Sequence, residues 1–273
     1  MAAPIADARS SAGFRKVTGV NWTALVLAGS RPGRDAFAES HGTDLKALIA
    51  VGGVAMVARP VAALLASPHI VRVRVLAQAV DRIAAVMTDD PRVTVEASGA
   101  TIAATLDAIL ADPSTIFPLL VTTADHALLD AAMVDDFCNH AAGADLAIGM
   151  VERRHLMAKL PQTTRTWLHF RGQAYSGANL FAFGGPAAAR AVSLWRDVEQ
   201  DRKKGWRMIA ALGPALLLGA VLRLRTIDAT LDAVGRRLGL SICKVELKNP
   251  VAAIDVDKEA DLVIAEHLLE LRQ

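Results

Sequence analysis

The sequence predicts an α/β protein with three layers, in which helices cover both faces of a mostly parallel, Rossmann-like sheet. Short apolar runs alternate along the 273 residues with stretches of helical periodicity, which is the pattern of repeated strand–helix–strand units. Hydrophobic residues make up 53% of the chain and aromatic residues only 4%, so alanine, valine and leucine must build the core. No low-complexity linker divides the chain, and we expect one domain over residues 21–273 after a mobile tail at residues 1–20.

The strands are predicted from short apolar or β-branched runs, beginning with Ala24–Ala28, which stops at Gly29. The later runs, in chain order, are Val71–Ala77, Val93–Glu96, Pro118–Thr122, Ala144–Val151, Asn179–Phe183 and Ile242–Leu247. Segments of helical periodicity separate these runs. The predicted helices are Val54–Ala66, Val80–Thr88, Thr101–Leu110, Ala131–Ala142, Pro186–Gln200 and Lys258–Arg272. Residues 195–240 are predicted to form a helical insert. In an open parallel sheet ligands bind beyond the carboxyl ends of the strands, so those ends are where chemistry is expected.

Composition limits the partners and the compartment of the chain. A net charge of +2, without a long basic tract, argues against nucleic-acid binding. Cys138 and Cys243 lie far apart and match no metal-binding or redox spacing, which favours free thiols in a reducing, cytoplasmic setting. The first twenty residues lack the continuous apolar stretch of a secretion signal.

One apolar segment, Met208–Leu222, has no obvious place in the sheet and its covering helices. It is too short to span a bilayer, contains two glycines and a proline, and is flanked by basic residues on both sides. These features favour burial, or a contact in a homodimer through the helical insert. A peripheral contact with a membrane surface is the less favoured alternative.

A loop between Ala24 and Lys46 carries the strongest functional signal. Gly29 and Gly33 allow the backbone to approach phosphate oxygens, Arg34 can hold two oxygens, and Lys46 supplies a second cation. This set suits a nucleoside triphosphate. A Walker loop is excluded because it needs Gly-Lys-Ser/Thr where Arg34 stands. An ordinary strand-to-helix turn with solvated arginines is the structural alternative.

The same loop resembles the signature of nucleotidyltransferases with the GT-A-like fold, which include molybdenum-cofactor guanylyltransferases and sugar-phosphate pyrophosphorylases. Their pattern is Leu-x-Ala-Gly-Gly-x-x-x-Arg followed by a distant lysine. Here Arg34 and Lys46 are in register, and Ser30 replaces the second glycine. The resemblance implies a nucleotide-binding loop formed by Leu27, Ala28, Gly29, Ser30, Gly33, Arg34 and Lys46. Arg34 and Lys46 would be catalytic.

Asp125 follows the apolar strand PLLVTT, and a carboxylate at that position could bind Mg²⁺ and bridge it to a triphosphate. The resemblance makes Asp125 the catalytic metal ligand, and capping of the following helix is the alternative. His126 is interpreted as a local hydrogen-bonding residue. The segment IDVDKEADL resembles the closing motif of the family, in which Asp257, or alternatively Asp255, completes the metal site. Capping of the last helix is the other role open to Asp257.

Two further groups of residues are assigned through the resemblance. Ser98, Gly99 and Thr101 open a helix at the turn that contacts the nucleobase in the family, although a plain helix cap explains them equally well. The segment SGANLF resembles the acceptor-binding segment, which assigns Asn179 to the acceptor. Among the nearby cations, Lys159 and Arg165 are the candidates for binding an acceptor phosphate.

Together these residues predict a magnesium-dependent nucleotidyltransferase. A phosphorylated small-molecule acceptor would attack the α-phosphate of the triphosphate, and pyrophosphate would leave. Three alternatives stay open at this point. They are a sugar transferase of similar fold, a non-catalytic nucleotide-binding module, and a membrane-surface enzyme that makes an activated lipid head group.

Overall fold

The computed structural model describes residues 19–30, 33–200 and 224–272. The predicted N-terminal tail lies almost wholly outside these ranges, as do Met208–Leu222 and the basic residues just before it. Within the described residues, no helix is both long and apolar enough to cross a membrane.

Within the part of the chain that the structure describes, eight strands form the main sheet and two very short strands form a separate hairpin. The strands are β1 Trp22–Leu27, β2 Ala50–Val51, β3 Val54–Ala55, β4 Ile70–Ala77, β5 Val93–Ala97, β6 Leu119–Thr123, β7 Leu146–Glu152, β8 Leu168–Phe170, β9 Gln173–Phe183 and β10 Ile242–Glu246. The main sheet has the order β10-β7-β9-β6-β1-β4-β5, with β8 paired to β9. Because β9 runs antiparallel to β6 and β7 while the other pairs on this path are parallel, the carboxyl ends of six strands lie at one edge.

The helices among the described residues are α1 Ala36–Ser40, α2 Ala58–Leu65, α3 Val80–Ala84, α4 Ile102–Ala111, α5 Ala131–Ala141, α6 Arg153–Lys159, α7 Ala189–Gln200, α8 Ile227–Leu238 and α9 Glu259–Glu270. Short 3-10 turns cover Lys46–Leu48, Pro186–Ala188 and Pro250–Ala253. Side chains of Thr101, Asp130 and Thr226 cap α4, α5 and α8 by accepting hydrogen bonds from backbone amides of the first turn.

The three predicted layers are confirmed, and β1 shows how the sequence encodes them. Ala24 and Val26 belong to a core on one face of the sheet, which α2, α5 and α9 cover. Leu25, between them, belongs to a second core under α4, α7 and α8. Because neighbouring side chains of a strand point to opposite faces, a strand buried on both faces must be apolar at every position.

Several element boundaries differ from the sequence prediction. The helix expected from Val54 begins only at Ala58, since Gly52 and Gly53 adopt positive φ angles and turn the chain into the β2–β3 hairpin. The strand expected at Asn179 starts at Gln173, and the helix expected from Pro186 begins as a 3-10 turn. Elements α1, α6 and β8 were missed because each is too short to show a period.

The described part of the predicted insert joins the layer over the second core. Residues 195–200 continue α7, and α8 packs Leu231, Val234 and Leu238 against that core. The helix α8 therefore serves as a covering helix of β10. Residues 201–223 of the predicted insert lie outside the described ranges.

Candidate active site

The ammonium group of Lys46 lies between two carboxylates at the carboxyl edge of the sheet. Its Nζ atom is 2.7 Å from Oδ2 of Asp125 and 2.5 Å from Oδ1 of Asp257. The side chains of Lys46 and Asp125 are 23% and 22% exposed, whereas that of Asp257 is 57% exposed. Burial acts to lower the pKa of Lys46, but the two carboxylates outweigh it, and the pKa of Lys46 is raised. Lys46 is therefore firmly charged.

Two hydrogen bonds hold Asp125 in place at the end of β6. Its Oδ1 atom accepts from the hydroxyl of Thr123 at 2.5 Å, and its backbone carbonyl accepts from the amide of Val256 at 3.0 Å. The second bond ties β6 to the segment that carries Asp257. The side chain that caps the following helix is that of Asp130, so the capping role considered for Asp125 is not seen.

Asp257 and Asp255 bind different cations. Asp257 turns to Lys46 and does not cap α9, which begins after Lys258 without a side-chain cap. Asp255 forms an ion pair with Nη1 of Arg165 and accepts at 3.5 Å from the amide of Asn179. The two alternative metal ligands named from the sequence are therefore paired with different cations in this structure.

Arg165 is the most buried of the cations assigned to the acceptor. Its side chain is 9% exposed, donates to the backbone carbonyl of Asp255 at 3.0 Å, and lies 3.6 Å from a carboxylate oxygen of Asp261. Burial lowers the pKa of Arg165. The nearby carboxylates, of which Asp261 has the largest effect, act in the opposite direction. Lys159, by contrast, is exposed on α6 and has no ion pair among the described residues. The two predicted acceptor cations therefore differ: Arg165 is buried among carboxylates, and Lys159 is exposed.

Asn179 is the one described residue other than glycine that has a positive φ angle, 47°. This left-handed conformation costs free energy for residues other than glycine, although asparagine tolerates it better than most. Its side chain reaches Asp255, which connects β9 with the segment between Ile254 and Asp257. A strained residue at this position is compatible with a site residue.

The predicted phosphate loop begins where β1 ends. Ala28 is hydrogen-bonded through its amide to the carbonyl of Leu76, which fixes the exit from the strand. The amide of Ser30 donates at 2.8 Å to the side-chain oxygen of Gln78, a residue that the sequence analysis missed. A β-carbon added at Gly29 would lie 3.0 Å from Nε2 of Gln78, a tight contact that would force the Gln78 side chain to shift.

Arg34 does not reach the other predicted site residues. Its guanidinium donates two hydrogen bonds to Glu39 in α1, at 2.8 and 2.7 Å, and its side chain is 87% exposed. Gly33, with a φ angle of 111°, lies just before it in open space. Binding of a phosphate by Arg34 would require the side chain to leave Glu39, an exchange that costs little because exposed ion pairs are weak.

The predicted nucleobase turn lies at the end of β5, next to the loop. The amide of Ser98 donates to the carbonyl of Ala77, and the amide of Gly99 donates to the hydroxyl of Thr105. Thr101 caps α4, as the simpler interpretation held. The hydroxyl of Ser98 is buried without a hydrogen-bond partner among the described residues, which leaves it as the one side chain of the turn free to meet a ligand.

His126 is buried behind Asp125 and lies 3.2 Å through Nδ1 from the hydroxyl of Thr122. Burial lowers the pKa of His126 to about 4, against the opposing charge of Asp125. The ring is therefore neutral at neutral pH and contributes no charge to the site. Its local hydrogen bond matches the role expected from the sequence.

Gln78, Thr123 and Asp261 were not identified from the sequence, although each contacts a predicted site residue. Gln78 directly follows β4, and the rule that strand ends carry chemistry would have selected it. Thr123 contacts Asp125 only two residues away, whereas Asp261 reaches Arg165 through a contact that only the folded chain creates.

Comparisons with known proteins identify the family and support the fold. The family model described as the MobA-like NTP transferase domain matches residues 24–228, which is more than half of the chain. A comparison with curated proteins finds no match. Among solved structures, a hypothetical transferase from Thermus thermophilus is similar at 24% identity and a TM-score of 0.72, covering 89% of this chain and 100% of its own. A 4-diphosphocytidyl-2C-methyl-D-erythritol synthase from Anaerococcus prevotii is similar at 10% identity and a TM-score of 0.57, covering 92% and 96%. At these identities the similarity of the structures supports the fold alone.

Proposed function

The chain belongs to the MobA-like NTP transferase family, and from that premise we propose that it transfers a nucleoside monophosphate to a phosphorylated small molecule with Mg²⁺ as its cofactor. Family membership makes the chain a nucleotidyltransferase enzyme, so the alternatives of a non-catalytic binding module and of a sugar transferase are set aside. The proposal concerns which residues bind the nucleobase, the acceptor and the metal.

The position of Lys46 between Asp125 and Asp257 is the observation that carries the metal assignment. Two carboxylates from distant parts of the chain already meet around one cation, at distances of 2.7 and 2.5 Å. Carboxylate oxygens are the ligands that Mg²⁺ prefers, and Mg²⁺ usually takes one or two of them together with substrate phosphates. Asp125 and Asp257 would hold the ion, which would neutralise charge on the phosphate oxygens. Asp255 is the weaker candidate because Arg165 and Asn179 already bind it.

The proposed reaction is an in-line displacement at the α-phosphorus. An oxygen of the acceptor phosphate forms a bond to that phosphorus, the bond to the bridging oxygen breaks, and pyrophosphate leaves with the electron pair. No general base is needed because the acceptor is already an anion at neutral pH. The protein would contribute positioning and charge, and Lys46 is the cation proposed to meet the charge that develops at the α-phosphate.

The loop after β1 would hold the β- and γ-phosphates. The amides near Gly29 and Ser30 are at the strand end, and Arg34 can exchange Glu39 for phosphate oxygens. The turn at Ser98–Gly99, with its unpartnered hydroxyl, would meet the nucleobase. On the opposite side of Asp125, Asn179 and the exposed Lys159 are the residues proposed to meet the acceptor.

A phosphorylated acceptor is supported by the product named for one similar structure. The enzyme from Anaerococcus prevotii is a synthase of 4-diphosphocytidyl-2C-methyl-D-erythritol, and a diphosphate joins the two parts of that product. A diphosphate of this kind is what results when an acceptor phosphate attacks the α-phosphate of a triphosphate. An activated lipid head group stays open as an alternative acceptor. The sequence feature that suggested it, Met208–Leu222, lies outside the described residues.

A pyrophosphate-release screen tests the proposal directly. The four common triphosphates are combined with phosphorylated sugars, polyols and amino alcohols, with Mg²⁺ and then with excess chelator. We expect one triphosphate to stand out and turnover to stop with the chelator. Asp125→Asn should lower turnover by about 10²-fold or more, the scale typical of losing one electrostatic stabiliser. Asp89→Asn, which changes an exposed aspartate away from the site, is the matched control. Near-normal turnover of Asp125→Asn would contradict the metal assignment.

A further inference from the structure

A second group of potential metal ligands lies at the same edge of the sheet, on strands that the proposed reaction does not use. Glu152 ends β7, His155 lies in α6 directly after it, and Glu246 ends β10. Strands β7 and β10 are parallel neighbours in which Glu246 is in register with Met150, so Glu152 lies two residues further along β7 on the same face. One ligand atom from each of the three residues lies within 4.8 Å of the other two.

The buried atoms of this cluster lack hydrogen-bond partners. The side chain of Glu152 is only 7% exposed, and its Oε2 atom forms no hydrogen bond among the described residues. Arg154 places its Nε atom 2.7 Å from that oxygen as an ion pair, but from outside hydrogen-bonding geometry. The Nδ1 atom of His155 is also buried without a partner. Buried polar atoms are nearly always hydrogen-bonded in proteins, so two buried ligand atoms without hydrogen bonds in one cluster point to an absent ligand.

A cation already occupies the side of the cluster formed by Glu246. The Nζ atom of Lys244 lies 3.0 Å from Oε2 of Glu246 and 4.0 Å from a carboxylate oxygen of Asp228. The hydroxyl of Tyr175 lies 3.4 Å from the same oxygen of Glu246. The carboxylate charge of Glu246 is therefore balanced by a lysine that a stronger cation would have to displace.

We propose that Glu152, His155 and Glu246 bind a divalent transition-metal ion, of which Zn²⁺ and Mn²⁺ are the representatives to test. One imidazole nitrogen and two carboxylate oxygens form a mixed donor set, which favours a transition metal over Mg²⁺. Three protein ligands leave at least one coordination position open to water or a small anion. In this group His155 brings a nitrogen without a hydrogen-bond partner, Glu152 brings an oxygen paired with the exposed Arg154, and Glu246 exchanges Lys244 for the ion.

This site is separate from the one around Asp125. Strand β9 lies between β6 and β7, so the two strand ends are about 10 Å apart, two strand spacings across the sheet. The assignment of a metal to Glu152, His155 and Glu246 does not depend on which reaction the enzyme catalyses.

Calorimetric titration of Zn²⁺, and separately of Mn²⁺, into the full-length chelator-treated protein tests the proposal. We expect one tight equivalent in the wild type. His155→Gln and Glu246→Gln should each weaken it by about 10²-fold, since each removes a direct ligand. Lys244→Met should strengthen it, because the competing ammonium is gone. Asp257→Asn should leave it unchanged, which separates this result from failure of the proposed magnesium site.

A second measurement avoids variants that fail to fold. In the wild-type protein, substoichiometric Mn²⁺ should broaden the assigned ring signals of His155 in NMR spectra before those of the exposed His140. Tight binding that survives both His155→Gln and Glu246→Gln would overturn the proposal. So would the absence of any binding by the wild type, or equal broadening of His155 and His140.

Discussion

The Nζ atom of Lys46 lies 2.7 Å from Oδ2 of Asp125, and this contact joins the loop after β1 to the end of β6. The same ammonium also reaches Asp257, from the segment before the last helix. Three segments that are remote in sequence thus converge on one charge. Because a buried or half-buried pair is screened less than an exposed one, these contacts hold the site together before any ligand arrives.

Asp257 and Asp255, the two candidates for the second magnesium ligand, can be distinguished by replacing each with asparagine. Asp257→Asn should lower kcat by about 10²-fold and raise the Mg²⁺ concentration needed for half-maximal turnover, because a neutral amide binds the ion poorly. Asp255→Asn should affect the magnesium response less, since Asp255 is bound by Arg165. Magnesium titrations of pyrophosphate release measure both variants beside Asp89→Asn. A larger shift in the magnesium response for Asp255→Asn would reverse the assignment.

Lys46 is expected to act in the transition state more than in substrate binding. Lys46→Met should lower kcat more than it raises KM for the triphosphate, because the charge that Lys46 meets grows as the reaction proceeds. The same variant should bind Mg²⁺ more tightly, since the ammonium no longer competes for Asp125 and Asp257. Steady-state kinetics and a calorimetric Mg²⁺ titration measure the two effects. A change in KM alone would make Lys46 a binding residue.

Gly29 is expected to be required because of one specific neighbour. Gly29→Ala places a β-carbon 3.0 Å from Nε2 of Gln78 and should raise KM for the triphosphate by about tenfold, the effect of roughly 1.4 kcal/mol on binding. Gly185→Ala, where a β-carbon meets nothing within 4 Å, is the matched control.

The double variant Gly29→Ala/Gln78→Ala tests whether the contact with Gln78 causes this loss. If the clash with Gln78 causes the loss, KM should return part of the way toward the wild-type value, and the two substitutions should be non-additive. Strict additivity in a kinetic double-mutant cycle would show that Gln78 is not the cause.

Arg165 is expected to stabilise the fold of the site. Arg165→Met leaves the buried Asp261 and the half-buried Asp255 without their cation, which should cost about 3–5 kcal/mol of the free energy of unfolding. Arg72→Met, at an exposed position, should change it by about 0.5 kcal/mol or less. Urea denaturation measures both. Unchanged stability together with a raised KM for the acceptor would support the acceptor-binding role that the family resemblance implied.

Local patterns in the sequence were sufficient for the layers, for the covering helices and for the loop after β1. Apolar runs such as that of β6 must be buried on both faces, and Gly33, with a φ angle of 111°, adopts a conformation that other residues disfavour. These are properties of a few neighbouring residues, so they can be interpreted without knowing the fold. Short elements such as α6 escaped because fewer than two helical turns show no period.

Which charges meet was decided only by the tertiary structure. From the sequence, Asp255 and Asp257 are alternative second metal ligands, yet in the structure Asp255 contacts Arg165 and Asn179 whereas Asp257 contacts Lys46. Likewise Arg34 and Lys46 are alike in the sequence, but one is exposed beside Glu39 and the other lies among the carboxylates. The partners of Lys46 and Arg165 come from segments that are remote along the chain. These ion pairs therefore depend on how the sheet brings the strand ends together, and a local sequence pattern cannot predict that.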